Sequence, residues 1–112
     1  MPIEKWSEQV SIARLGADPA LSDDLQALLD PAQHKGGDVV LDMGGVKYIN
    51  SSHIARLLKL RKRTVNDGSR LVLCAVDPQV WTAFLVTGLD KIFEFTDSVP
   101  TALATLQLAQ RP

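Results

Sequence analysis

Two apolar runs separated by helix-forming sequence constrain the fold of this chain more than any other feature. Residues 39–43 and 71–76 are almost continuously hydrophobic, with Asp42 as the interruption in the first run. Runs of this length are typical of strands buried on both faces of a parallel sheet. Helix candidates lie between and after them, so crossover connections must join the strands. This pattern predicts an α/β fold with a largely parallel sheet.

The rest of the sequence supplies further elements, in the order β(β)αβαβαβα. Alternating hydrophobicity predicts a strand over residues 9–15, a weaker edge strand over residues 3–6 and a short last strand over residues 92–95. Helices are predicted from Asp18-Pro19 to near His34, from Ser52 to about Asn66, from Asp77-Pro78 to Gly88, and onward from Asp97. Asp-Pro is a typical helix start because aspartate caps the first turn and proline fits the first helical position.

The apolar residues of these helices predict which faces are buried. The second helix is expected to place on one face Ile54, Leu57, Leu58 and Val65. Trp81 and Phe84 have helical spacing and are expected in the core. Cys74 lies inside the second apolar run, so we predict a small core residue rather than a nucleophile.

Length and charge exclude several classes of protein. The 112 residues suffice for one hydrophobic core, which predicts a single domain over residues 1–112. A net charge of −1 gives no basic field for direct nucleic-acid binding. No apolar run reaches the roughly 18 residues of a membrane span, and the first residues show no signal-peptide core. Together with a single cysteine, which cannot form an internal disulfide, these features favour a cytoplasmic protein.

Ser51 and Ser52 stand where a loop meets the second predicted helix. The first N–H groups of a helix lack intrahelical partners and the helix dipole is positive at this end, so a phosphoryl group could be held here. Arg56 follows Ser52 by one helical turn, within reach of such a group. The alternative is that one serine is merely the N-cap, which is a common role for serine. The local sequence leaves both interpretations open.

The other chemistry-bearing residues do not assemble into a site. Asp42 has no His, Cys or second acid placed to work with it, so we expect an exposed residue at a strand end. His53 is predicted to face solvent at the helix start, and His34 lies near a helix end without metal-ligand spacing. We therefore predict no catalytic residue, no metal site and no cofactor.

The elements and six sequence segments resemble the STAS domain, in particular the bacterial anti-sigma factor antagonists. The segments are residues 39–43, 46–52, 66–73, 76–80, 88–93 and 102–103. The resemblance extends from about residue 9 to residue 108. It implies a STAS fold, which is a four- to five-stranded mixed, mostly parallel sheet with about four helices.

In that family the loop before the second long helix usually reads Asp-Ser-Ser-Gly, and a partner kinase phosphorylates the second serine. Here Asn50 stands at the aspartate position, Ser51 and Ser52 match, and His53 stands at the glycine position. The resemblance therefore implies that Ser52 is the phosphoacceptor, with Ser51 as the rival. Asparagine lacks the charge of aspartate and histidine is bulkier than glycine, so both departures bear on phosphorylation and on the choice of partner.

The function implied by the resemblance is that of an anti-sigma factor antagonist in transcription regulation. The unphosphorylated protein would bind an anti-sigma factor that is also a GHKL-type serine kinase, and so release a sigma factor. Phosphorylation would end this binding, and a PPM-type phosphatase would restore it. The alternative is a constitutive, non-phosphorylated STAS scaffold subunit of a sensory or lipid-transport assembly, and a homodimer stays open. The predicted partner-binding residues are Lys47, Asn50, Ser51, Ser52, His53, Arg56 and Lys59.

Overall fold

The computed structural model describes residues 3–34 and 36–110 of the chain. The elements are β1 (Ile3–Lys5), β2 (Val10–Arg14), α1 (Ala20–Leu29), β3 (Asp38–Asp42), α2 (Ser51–Asn66), β4 (Leu71–Cys74), α3 (Pro78–Thr87), a 3-10 helix (Leu89–Lys91), β5 (Glu94–Thr96) and α4 (Val99–Gln110). None of the helices in these ranges has the length and apolar character that a membrane crossing requires.

The strands form one sheet with the order β1-β2-β3-β4-β5. β1 pairs antiparallel with β2, whereas β2, β3, β4 and β5 pair in parallel. A short turn over residues 6–9 suffices for the antiparallel pair, while each parallel pair is joined through a helix because the chain must cross back over the sheet. The predicted α/β class, with a mixed and mostly parallel sheet, is confirmed.

Successive residues of the central strands enter two separate hydrophobic cores. In β3, Val39 and Leu41 belong to the core under α1, α2 and α3. Val40 points to the opposite side, where it joins Val72 of β4 and Leu106 of α4. Both faces of β3 and β4 are therefore covered, which explains their continuous apolar sequence. The prediction of two buried strands is confirmed, but β4 ends at Cys74, and Ala75 and Val76 of the second run are half-buried outside it.

The first helix begins differently from the prediction. Pro19 occupies the cap position itself with φ −79° and ψ −8°, and α1 starts at Ala20. Asp18 lies one residue further out, where its carboxylate accepts hydrogen bonds from the backbone N–H and the hydroxyl of Ser22. The aspartate thus still stabilises the first turn, but the prediction that it is the N-cap is wrong.

The same helix also ends earlier than predicted. It stops at Leu29 instead of continuing to near His34. Pro31 explains the early end, because the residue before a proline is pushed out of the helical conformation, and Asp30 accordingly has ψ 116°.

The buried face of α2 is rotated from the predicted one. The buried residues are His53, Leu57, Leu60 and Thr64. Leu58 and Val65 were expected inside but are 37% and 55% exposed. The true stripe has helical spacing, and the prediction missed it because its two ends are polar side chains.

The third helix agrees with its sequence signals. The side chain of Asp77 caps it, Pro78 takes the first helical position, and Gly88 ends it in the left-handed conformation with φ 76°. Phe84 is fully buried, and Trp81 packs on the same core from a half-buried position.

The last strand and the last helix each begin two residues later than predicted. Phe93 donates its N–H to the carbonyl oxygen of Leu89, which continues the preceding helical turn and delays β5. The terminal helix was predicted to open at Asp97, but Ser98 is the residue whose hydroxyl accepts from the N–H of Thr101 in its first turn.

We expect Cys74 to be chemically inert in the folded protein, as its predicted place in the core requires. Its thiol is fully buried and lies 3.4 Å from the carbonyl oxygen of Leu41. Burial, reinforced by the nearby Asp42 carboxylate, raises the pKa of Cys74 from 9.0 to about 11. At pH 8 a thiol reagent should therefore label the unfolded chain in urea but not the folded chain.

The raised pKa also fixes the direction of a pH effect on stability. The folded state disfavours the Cys74 thiolate. The contribution of the neutral thiol to the free energy of unfolding is therefore fully present below pH 9.0 and is lost as the pH rises towards about 11. Urea unfolding should show this loss in the parent protein but not in Cys74→Ala. Fast labelling of the folded protein at pH 8 would contradict the assignment.

Candidate functional site

Three loops meet at one edge of the sheet. They connect β2 to α1 (residues 15–19), β3 to α2 (residues 43–50) and β4 to α3 (residues 75–77). Because β2, β3 and β4 run in parallel, their carboxyl ends lie side by side, which is where open α/β sheets place their binding sites. We call residues 15–19, 43–53 and 75–77 the loop edge.

Direct contacts join the middle loop to both of its neighbours. A Cβ added to Gly45 would lie 2.7 Å from the carbonyl oxygen of Leu15, so only glycine allows this approach of the two backbones. On the other side, the Lys47 ammonium lies 3.2 Å from the Asp77 carboxylate. The N–H of Gln79 and then Lys47 hold the pKa of Asp77 below its usual value. The predicted partner residue Lys47 thus already has an anionic neighbour, although its side chain remains 70% exposed.

Asn50 provides the N-cap of α2. Its side-chain oxygen accepts a hydrogen bond from the N–H of His53 at 3.0 Å, and Nδ1 of His53 accepts in return from the N–H of Asn50 at 3.0 Å. This reciprocal pair is a capping box in which histidine takes the place usually held by glutamate or glutamine. The interpretation of Ser51 or Ser52 as the cap is therefore wrong, and neither hydroxyl is committed to that role.

The prediction that His53 faces solvent is wrong, because the side chain is only 1% exposed. Its Nε2 lies 2.8 Å from Oδ2 of Asp18, which closes a contact between two loops that are 35 residues apart in sequence. Both ring nitrogens have partners, and this satisfies the buried imidazole. His53 therefore cannot itself touch a partner protein, and its effect on the surface is indirect.

Ser51 and Ser52 occupy the first two positions of α2, and both are exposed. Their backbone N–H groups have no hydrogen-bond acceptor within residues 3–34 and 36–110. Nη1 of Arg56 donates to the hydroxyl oxygen of Ser52 at 2.5 Å, as the one-turn spacing predicted. Ser52 is thus a solvent-facing hydroxyl with a guanidinium beside it.

Two further residues considered in the sequence analysis, Lys59 and Asp42, differ in their exposure to solvent. Lys59 is exposed and takes part in no ion pair within the described ranges. Asp42 was expected to be an exposed strand-end residue but is half-buried, and its carboxylate accepts from the N–H of Gly44. Tyr48 is 70% exposed and adds a large aromatic surface to the loop edge.

The second histidine, His34, lies outside the loop edge. His34 is buried, and burial together with the charge of Arg63 lowers its pKa. Among the described residues, no three side chains of the His, Cys, Asp or Glu type are grouped to hold a metal ion.

The sequence analysis missed two residues of this edge, Asp18 and Asp77, as neighbours of the serine loop. The sequence assigns Asp77 only as a helix cap, and Asp18 as a helix cap in a loop that could contact a partner. The parallel order of the strands could have indicated that these residues lie close together, because it places the carboxyl ends of successive strands side by side. The residue-level contacts with His53 and Lys47 had no local signature.

Comparison with known proteins identifies the fold and its relatives. A family model described as STAS domain matches residues 18–102. BtrV of Bordetella bronchiseptica, which is named as an anti-sigma factor antagonist, is 32% identical over 89 residues, or 80% of this chain and 74% of that protein.

Solved structures share the same architecture. TM1081 of Thermotoga maritima has a TM-score of 0.79 at 16% identity, with 95% of this chain and 93% of that chain covered. A STAS domain protein of Planctomyces limnophilus has a TM-score of 0.79 at 23% identity, with coverages of 94% and 97%. The phosphorylated form of Bacillus SpoIIAA has a TM-score of 0.66 at 13% identity, with coverages of 93% and 96%. At these identities the likeness establishes the fold alone.

We expect Asn50→Ala to destabilise the protein by about 0.5–2 kcal/mol, because it removes the side-chain acceptor of the cap. Urea unfolding measures this change. Ser51→Ala is the matched control, since it alters the neighbouring exposed position without touching the capping box. Equal stability of Asn50→Ala and Ser51→Ala would show that the capping box contributes nothing.

Proposed function

The chain belongs to the STAS domain family, and from this premise we propose that it acts as an anti-sigma factor antagonist switched by phosphorylation of Ser52. In its unphosphorylated form it binds an anti-sigma factor that is also a serine kinase of the GHKL type, and a sigma factor is released. A PPM-type phosphatase returns the phosphorylated form to the binding state. The chain itself has no catalytic role and serves as the kinase substrate. Sigma factors act with RNA polymerase on DNA, which makes the proposed place of action the cytoplasm.

The observation that carries this proposal is the environment of the Ser52 hydroxyl. It is exposed at the second position of α2, where a kinase could approach from solvent. Because Asn50 supplies the cap, the hydroxyl is not held by the helix backbone. Phosphoryl transfer needs an accessible acceptor oxygen, and this serine offers one.

The same environment suits the phosphorylated product. The Arg56 guanidinium already contacts the Ser52 oxygen. The N–H groups of Ser51 and Ser52 lie at the N-terminus of α2, which is the positive end of the helix dipole. A phosphate formed here gains charge-assisted hydrogen bonds without moving an element of the fold. SpoIIAA of Bacillus, which shares this fold, has been solved in a phosphorylated form.

The two departures from the family's serine motif leave this acceptor in place. Asn50 caps the helix in a role that needs a side-chain oxygen but no charge. His53 points inwards, so its bulk does not cover the serines. Both observations support the phosphorylated switch over the constitutive scaffold.

The proposed partner surface is the exposed part of the loop edge together with the outer face of α2. Its members are the half-buried Arg56 and five exposed residues, Lys47, Tyr48, Ser51, Ser52 and Lys59. A phosphate at Ser52 places nearly two negative charges in the middle of this set, and burying them in an interface without matched partners would weaken binding.

We expect a GHKL-type serine kinase that binds the protein to phosphorylate Ser52 with ATP, as mapped by mass spectrometry. Ser52→Ala should remove the phosphate, while Ser51→Ala, the matched neighbour, should retain it. Ser52→Asp should bind the same kinase more weakly than the parent, by about tenfold or more.

Three outcomes would count against the switch. Phosphate on Ser51 alone would move the acceptor to the rival serine. Phosphate on neither serine, or parent-like binding by Ser52→Asp, would leave the constitutive scaffold as the better account.

We also expect Lys59→Glu to weaken kinase binding by about five- to tenfold, because it reverses a charge on the proposed surface. Lys91→Glu is the matched control, since it makes the same change at an exposed residue before β5, at the opposite edge of the sheet. Melting temperatures should barely change in either variant. If the two variants bind equally well, the partner surface lies elsewhere.

A further inference from the structure

The buried imidazole of His53 connects the serine loop to the β2–α1 loop. We propose that His53 is a positioning residue which, with Asp18, holds the Ser52 hydroxyl in a fixed place relative to residues 16–19, so that the kinase meets both loops as one rigid surface. This inference rests on the proposed function and adds a device that the usual glycine of the family could not provide.

The hydrogen bonds of the ring determine its chemical form. Nδ1 accepts from the Asn50 N–H, so it carries no proton, and the ring proton of the neutral form is on Nε2. That Nε2–H donates to Oδ2 of Asp18 at 2.8 Å. The ring therefore has one fixed tautomer and one fixed orientation, because a flip of the ring would break both contacts.

Asp18 extends the connection into the first helix. Its second oxygen, Oδ1, accepts from the backbone N–H of Ser22 at 2.9 Å and from the Ser22 hydroxyl at 2.8 Å. The carboxylate is thus held from α1 on one side and from His53 on the other. With Asn50 these residues form one chain of contacts, which we call the Asp18–His53 clamp: Ser22, Asp18, His53 and Asn50.

Ser52 lies within the span that this clamp fixes. It stands between the cap residue Asn50 and the third helical position, His53, whose backbone and side chain are both hydrogen-bonded. Movement of the first turn of α2 would shift the Ser52 oxygen relative to the loop edge. Phosphoryl transfer depends steeply on such placement, since a displacement near 1 Å costs on the order of a hundredfold in rate.

The test compares variants that break the clamp with variants that keep it. Asp18→Ala removes the acceptor for Nε2–H, while Asp18→Asn keeps a carbonyl oxygen that can accept from it. His53→Gln keeps the capping box, because glutamine at this position accepts from the Asn50 N–H, but it has no second nitrogen to reach Asp18. Asp23→Ala is the matched control, because it removes an exposed carboxylate from the same first turn of α1 and lies outside the clamp.

With the same GHKL-type kinase and ATP, we expect Asp18→Ala and His53→Gln each to lower kcat for Ser52 phosphorylation by about tenfold, with KM changed by less than about twofold. The double variant should be no slower than either single variant, because both break the same link. Asp18→Asn should restore most of the rate, and Asp23→Ala should behave like the parent. A loss of kcat measured at temperatures far below the unfolding of every variant separates positioning from a loss of folded protein.

Amide hydrogen exchange tests, without any kinase, whether the clamp holds the first turn of α2 in place. In Asp18→Ala the N–H groups of Asn50 and His53 should exchange about fivefold faster or more than in the parent, because the cap loses its support. In Asp23→Ala they should exchange at the parent rate. Unchanged exchange in Asp18→Ala, or parent-like kcat in both clamp variants, would overturn the proposal.

These two readouts separate the inference from the function on which it rests. If the kinase does not phosphorylate the parent protein, the switch at Ser52 is lost as a function. Faster exchange in Asp18→Ala would then still establish that the clamp positions the serine loop. Unchanged exchange would contradict the positioning role as well as the switch.

Discussion

The parallel pairing of β2, β3 and β4 is the constraint on which the site depends. Each connection between these strands passes through a helix, and each leaves the sheet at the carboxyl end of its strand. Three loops from distant parts of the sequence therefore become neighbours at that end. Their contacts are specific to this chain: a glycine, Gly45, where two backbones meet, an ion pair between Lys47 and Asp77, and the hydrogen bond from His53 to Asp18. The surroundings of Ser51 and Ser52 therefore depend on the neighbouring loops as well as on residues close in sequence.

Asn50 and His53 act as a matched pair. Considered separately, asparagine lacks the charge of aspartate and histidine adds bulk where glycine is usual. In the structure each satisfies the backbone N–H of the other, and the imidazole turns away from the serines into the protein. The pair therefore supports the start of α2 while leaving both hydroxyls exposed. A change at one of these positions removes a partner of the other, so their effects on stability should not be additive.

The sequence predicted those features that depend on neighbouring residues. The central strands, the Asp77-Pro78 helix start and the one-turn contact from Arg56 to Ser52 all follow from local patterns, and all are present. The burial of His53 could not be predicted in this way, because the acceptor that satisfies its second nitrogen lies 35 residues earlier in the chain. The rotated face of α2 has the same cause, since a histidine with hidden partners looks like a surface residue.

The distribution of charge around Ser52 supports the proposed switch without requiring an element of the fold to move. The carboxylate of Asp18 is held by Ser22 and His53, and the ammonium of Lys47 lies beside Asp77. The cation left next to Ser52 is Arg56, whose guanidinium already contacts the serine oxygen. A phosphate there would be held by this arginine, yet its charge of nearly −2 exceeds the single positive charge beside it. The proposed surface would thus lose most of the positive charge that Lys47, Arg56 and Lys59 give it, and a partner complementary to the unphosphorylated surface would bind the phosphorylated one less well.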